Sequence, residues 1–140
     1  MMSKNYWMAV VIAGIVVNIL DFIVQGMLFQ NMFYSKMSGM RTDVNPAIYV
    51  ALDFLMVAIF VWFYDKVYGS FGGGLQGGMK FGMYYGVTMN FPTMFFPYLM
   101  FQGMMYGFVW ASIIYGIIWG IVLGITVGKF YTKGESAPAA

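Results

Sequence analysis

Four long apolar runs alternate with short polar or glycine-rich connections, and the first run is broken by a polar stripe. Residues 7–29 read WMAVVIAGIVVNILDFIVQGMLF, long enough to cross a bilayer as a helix. Asn18, Asp21 and Gln25 interrupt it at i, i+3 and i+7, one turn after Gly14. At about 100° per residue these four positions share one helix face. A carboxyl at that depth is costly wherever it meets lipid, so the stripe is expected to face protein, water or a ligand.

The remaining runs predict three more spans, over about 46–64, 79–101 and 104–127. Asn45-Pro46 opens the second as an N-cap with proline at the first helical position. The third contains Pro92 and Pro97, and the fourth closes at Gly128-Lys129. Residues 134–140 read as a short disordered tail. The expected fold is therefore all-α: one membrane domain over 1–140, a polytopic four-transmembrane-helix bundle. One Lys precedes the first run, as in a signal peptide, but the run is long and no A-x-A-like site follows, so a retained helix is expected.

Small residues recur every fourth position on the last two spans. Gly74, Gly78, Gly82 and Gly86 lead into the third, and Ser112, Gly116, Gly120, Gly124 and Gly128 run along the fourth. That spacing lets backbones approach closely where packing must replace the hydrophobic effect, as in a glycine zipper. Each four-residue step advances about 40° around a helix. The third and fourth spans are expected to form a tight hairpin in which the two seams can bury each other, with part of Gly116–Gly128 left for another helix, in this bundle or a neighbour.

Depth brings the polar residues together. Asp21 and Asp53 both fall roughly 10–12 Å below the outer ends of their spans at 1.5 Å per residue. Asn90, Thr93 and Ser112 fall in the same half. The expectation is one intramembrane polar cluster of Asn18, Asp21, Gln25, Asp53, Asn90, Thr93 and Ser112, with Tyr49 able to donate from one turn above Asp53. No Lys or Arg sits at that depth. The other half, from Trp7 to Val17 and from Val57 to Phe63, has no ionisable side chain, which weighs against a transport path.

Composition agrees: 61% hydrophobic and 9% charged residues describe a membrane-integrated chain. A net charge of +2 gives no reason to expect nucleic acid. Lys4, Lys66, Lys80, Lys129 and Lys133 lie on one side of the predicted spans and only Lys36 and Arg41 on the other. The positive-inside rule then puts both termini in the cytoplasm of a multi-pass inner-membrane protein. With no His and no Cys, imidazole and thiolate chemistry are excluded, and no enzyme, catalytic residue, metal or cofactor is expected. Methionine outnumbers leucine 15 to 7, and Met37-x-x-Met40 and Met100-x-x-x-Met104 have spacing suited to Cu(I). Gap-filling in packed cores accounts for them equally well.

The chain resembles a group of small, uncharacterised four-helix bacterial membrane proteins. The likeness rests on NILDFIVQG at Asn18–Gly26, WFYDKVYG at Trp62–Gly69 and GGGLQGGMKFGMYYG at Gly72–Gly86. It implies a bacterial inner-membrane bundle and brings no function with it. The expected role is a non-enzymatic accessory or structural subunit of a larger assembly or homo-oligomer, in contact with the lipid bilayer and other membrane subunits. One alternative is a small proton- or cation-linked channel or transporter using Asp21 and Asp53. A second is a lipid-, pigment- or quinone-binding membrane module.

Overall fold

In the computed structural model, residues 4–134 are described, and the tail expected over 134–140 falls outside them beyond its first residue. Helices account for every element, with no strand among the described residues. The first is α1, Lys4–Asp21, which passes without a break into a π-helix, Phe22–Phe29. A single α turn, α2 (Gln30–Met32), and a 3-10 turn, Tyr34–Lys36, complete a rod of 33 residues. Then come α3 (Pro46–Phe71), α4 (Gly74–Asn90), the short α5 (Phe95–Met100) and α6 (Tyr106–Phe130).

Local chemistry sets the boundaries. The Asn45 side chain accepts from the Ala47 amide at 3.0 Å, and Pro46 takes the first helical position, which lacks an intrahelical acceptor. At the far end Gly72 has φ 77° and its amide returns to the Tyr68 carbonyl at 2.9 Å. Gly74 also has positive φ, at 73°, so the chain reverses in two residues and α4 starts earlier than the pattern suggests.

A single helix over 79–101 does not form. α4 spans 17 residues and stops at Asn90; Pro92 has no amide to continue it, and residues 91–94 turn before α5 begins. At 1.5 Å per residue α4 is about 25 Å long, short of the ~30 Å hydrocarbon core. The rod 4–36, α3 and α6 are each long and apolar enough to cross a membrane. The second and fourth runs are helical to Phe71 and Phe130, past the ends expected at 64 and 127.

Two contacts hold the bundle. α1 presents Ala9, Ala13 and Val17, all fully buried, to Val57, Phe60 and Val61 of α3 and to Leu123 and Val127 of α6. α4 and α6 lie antiparallel along their glycine stripes. Gly78 faces Gly124, Gly82 faces Gly120, Gly86 faces Gly116 and Gly74 faces Gly128. A Cβ on Gly86 would stand 2.7 Å from the Gly116 carbonyl oxygen, and one on Gly78 2.8 Å from the Gly128 Cα. Gly116, Gly120, Gly124 and Gly128 are all buried. No part of the seam is left for another helix, contrary to the 40°-per-step argument. A four-residue repeat exceeds the 3.6-residue period, so helices that coil about each other right-handedly keep the stripe in contact.

Candidate functional site

Above the apolar core the helices separate around a cavity of about 330 Å3. Its wall takes Asp21, Gln25 and Phe29 from the rod, Asp53 and Met56 from α3, Asn90 from α4, and Ser112, Tyr115 and Trp119 from α6. Five of the seven residues expected to cluster, Asp21, Gln25, Asp53, Asn90 and Ser112, therefore face one space. Asn18 and Thr93 do not line it. The Asn18 amide donates to the Gly14 carbonyl at 2.9 Å within its own helix. The Thr93 hydroxyl donates to the carbonyl of Met89 and is exposed. Tyr49 is also exposed and makes no hydrogen bond to Asp53 among the described residues.

The switch from α to π turns at Asp21 explains the separation from Asn18. The i→i+5 π turn is wider, and Asp21, Gln25 and Phe29, spaced by four, all reach the cavity. Asn18 belongs to the preceding α turns, whose buried stripe Ala13, Gly14 and Val17 serves packing instead. A Cβ on Gly14 would fall inside the ring of Phe54, so that glycine admits α3 rather than a polar group.

The two carboxylates differ in their partners. Asp21 accepts from the Tyr115 hydroxyl on one oxygen and from the Trp119 indole N–H at 3.2 Å on the other. Asp53 is half-buried, and no hydrogen bond or ion pair reaches its carboxylate among the described residues. The Tyr34 hydroxyl donates to Gln25 Oε1 at 2.5 Å, and the Asn90 amide donates to the Gly86 carbonyl at 2.8 Å. Asn90 also lies against Gly116, where a Cβ would overlap its side-chain amide. Above the cavity Phe29 meets Phe33, Tyr34, Phe108 and Tyr115 edge-on, with centroids 5.5–6.2 Å apart. Below it, Val17, Val57, Phe60, Val61 and Leu123 are fully buried and close the bundle.

Tyr34, Tyr85, Tyr115 and Trp119 in this wall escaped the sequence reading. For Tyr115 and Trp119 the signal was present: they follow Ser112 by three and seven residues, on its own helix face. Tyr34 lies in a stretch that reads as an external loop. The methionines in the wall are Met56, Met89 and Met94, while Met40 and Met100 are exposed and lie outside it.

A second polar cluster ties the opposite end. The Tyr131 hydroxyl donates to the Asp65 carboxylate, and Lys133 donates to the Asp65 carbonyl at 3.0 Å. Burial, and then that acceptor, push the Tyr131 hydroxyl above the usual tyrosine range. In the loop before α3, hydrogen bonds from Arg41 hold the Asp43 carboxyl below its usual range. Both partners of that ion pair are exposed, so it adds little to stability.

Fold and site together define an all-helical bundle with an aromatic-walled cavity carrying a few polar groups, set among four helices of which three are long and apolar enough to cross a membrane. Compared with known proteins, the chain matches no family, no curated protein and no solved structure.

Proposed function

We propose that this chain is a non-enzymatic, multi-pass membrane protein that holds a small amphiphilic molecule in the cavity between its helices. The observation that carries the reading is the convergence of acid, amide, hydroxyl and aromatic groups from the rod, α3, α4 and α6 on one space of about 330 Å3. Such a lining, mostly apolar with a few placed polar groups, is typical of small-molecule sites. The apolar plug beneath gives no support to a conduction path, which needs polar groups at successive depths. Both termini lie in the cytoplasm on the Lys and Arg count, with the cavity in the outer half.

The absence of native cysteine makes a direct test clean. Ser112→Cys puts a thiol in the cavity wall, and Leu123→Cys puts one in the plug below. A small thiol reagent such as methyl methanethiosulfonate should modify the first in the folded protein and spare the second. Equal inertness of both would remove the cavity and the reading with it.

One observation also favours the subunit reading. Residues 46–52, the first two turns of α3, are exposed on every side, which leaves them free to meet a neighbouring membrane helix. Leu52→Cys should then form disulfide-linked species in native membranes, and a wholly uncrosslinked chain would speak against it.

A further inference from the structure

The donors and acceptors around the cavity do not balance, and the imbalance constrains what enters. Most of its N–H and O–H donors are already engaged. Tyr115 and Trp119 donate to Asp21, Tyr34 donates to Gln25, and Asn90 donates to a backbone carbonyl. The Gln25 amide faces Asp21 as well, and among the described residues the Tyr85 and Ser112 hydroxyls have no partner, though a hydroxyl can accept as readily as donate. What stands open is an acceptor, the Asp53 carboxylate, and the wall contains no Lys or Arg to answer it. A quinone or other carbonyl ligand would find few free donors, those two hydroxyls and the second amide N–H of Asn90. An anion would face two acids.

The rest of the wall narrows the class further. Aromatic faces attract cations through the ring quadrupole, most strongly where water is excluded. Thioethers of Met56, Met89 and Met94 add polarisable surface. A hard inorganic cation such as Ca2+ or Mg2+ wants six or more oxygen ligands, which this largely apolar lining does not supply. Resting on the binding reading above, we propose that the occupant is an ammonium group on an apolar body, its charge on Asp53 and its body against the aromatic wall. The ammonium can belong to a free amine or to a lipid headgroup.

Benzyltrimethylammonium and neopentylbenzene test this directly, since they share one shape and differ in charge. With the full chain in detergent, followed by tryptophan fluorescence and calorimetry, the cation should bind at least tenfold more tightly. Asp53→Asn, which keeps the side chain's shape, should cost the cation at least tenfold and leave the hydrocarbon unchanged. Equal binding of the two probes, or cation affinity indifferent to Asp53→Asn, overturns the ammonium assignment and leaves the cavity as a binding site. Failure of both probes to bind, or binding of both unaffected by Ser112→Leu, removes the cavity reading itself. In bilayer discs, competition from phosphatidylethanolamine over phosphatidylglycerol assigns the ammonium to a lipid, and no competition assigns it to a free amine.

Discussion

Single atoms decide much of this architecture. Gly14 has no side chain because the Phe54 ring occupies the place where one would stand. Gly14→Ala should therefore destabilise the bundle by about 1–3 kcal/mol, the usual cost of overpacking. Phe54→Leu on top of it should recover part of the loss, giving a coupling of about 1 kcal/mol in a double-mutant cycle. Thermal unfolding in detergent measures both, and strictly additive losses would mean that the two residues do not meet. At the opposite end Tyr131→Phe removes one hydroxyl from Asp65 and should cost about 1 kcal/mol. The sign with pH is fixed by the raised Tyr131 hydroxyl. Its contribution is complete below the ordinary tyrosine value and is lost as pH rises through the raised one, so Tyr131→Phe should flatten stability only in strong alkali.

Between α4 and α6 the contact is backbone on backbone, and its tolerance is correspondingly low. Gly82→Leu or Gly120→Leu should separate the two helices and lower the unfolding temperature sharply, because each side chain would enter the facing main chain. Ile118→Leu, on a residue 47% exposed, should change stability by no more than about 0.5 kcal/mol. Equal effects at these positions would contradict the seam. The glycine stripes were legible because four-residue spacing of small residues has one strong physical use in apolar helices. That the two stripes can pack on each other in a hairpin was legible as well; that they do so along their whole length was not, because straight helices drift apart at this spacing and coiled ones do not. Nor did the apolar pattern reveal that Gly72 and Gly74 start α4 early and Pro92 stops it. The run over 79–101 is apolar enough overall to read as one span, whereas the backbone breaks at Asn90–Met94. The π-helix at Phe22–Phe29 was equally hidden, because nothing in its residue types separates it from an α-helix, yet it decides that Asp21 and Gln25 share the cavity while Asn18 does not.

At the level of the whole molecule, one end is dry and packed and the other is open and polar. Asp21, Asp53, Asn90 and Ser112 fall at one depth in their apolar runs, so that division was legible in the sequence. The aromatic half of the site was missed because tyrosine and tryptophan in apolar helices read as interfacial anchors. The proposed orientation rests on Lys and Arg alone: it predicts reporter fusions after Arg41 outside the cell and those after Lys133 inside, and the reverse pattern would put the cavity on the cytoplasmic side. The cavity is proposed to hold a molecule. Native mass spectrometry of the chain released directly from its membrane tests it most directly, comparing wild type with Ser112→Leu, which fills the wall from a residue only 9% exposed. A small bound species should accompany the wild-type chain and be lost from Ser112→Leu while helical content is unchanged. A bare wild-type chain, or the same bound species on both, would contradict it.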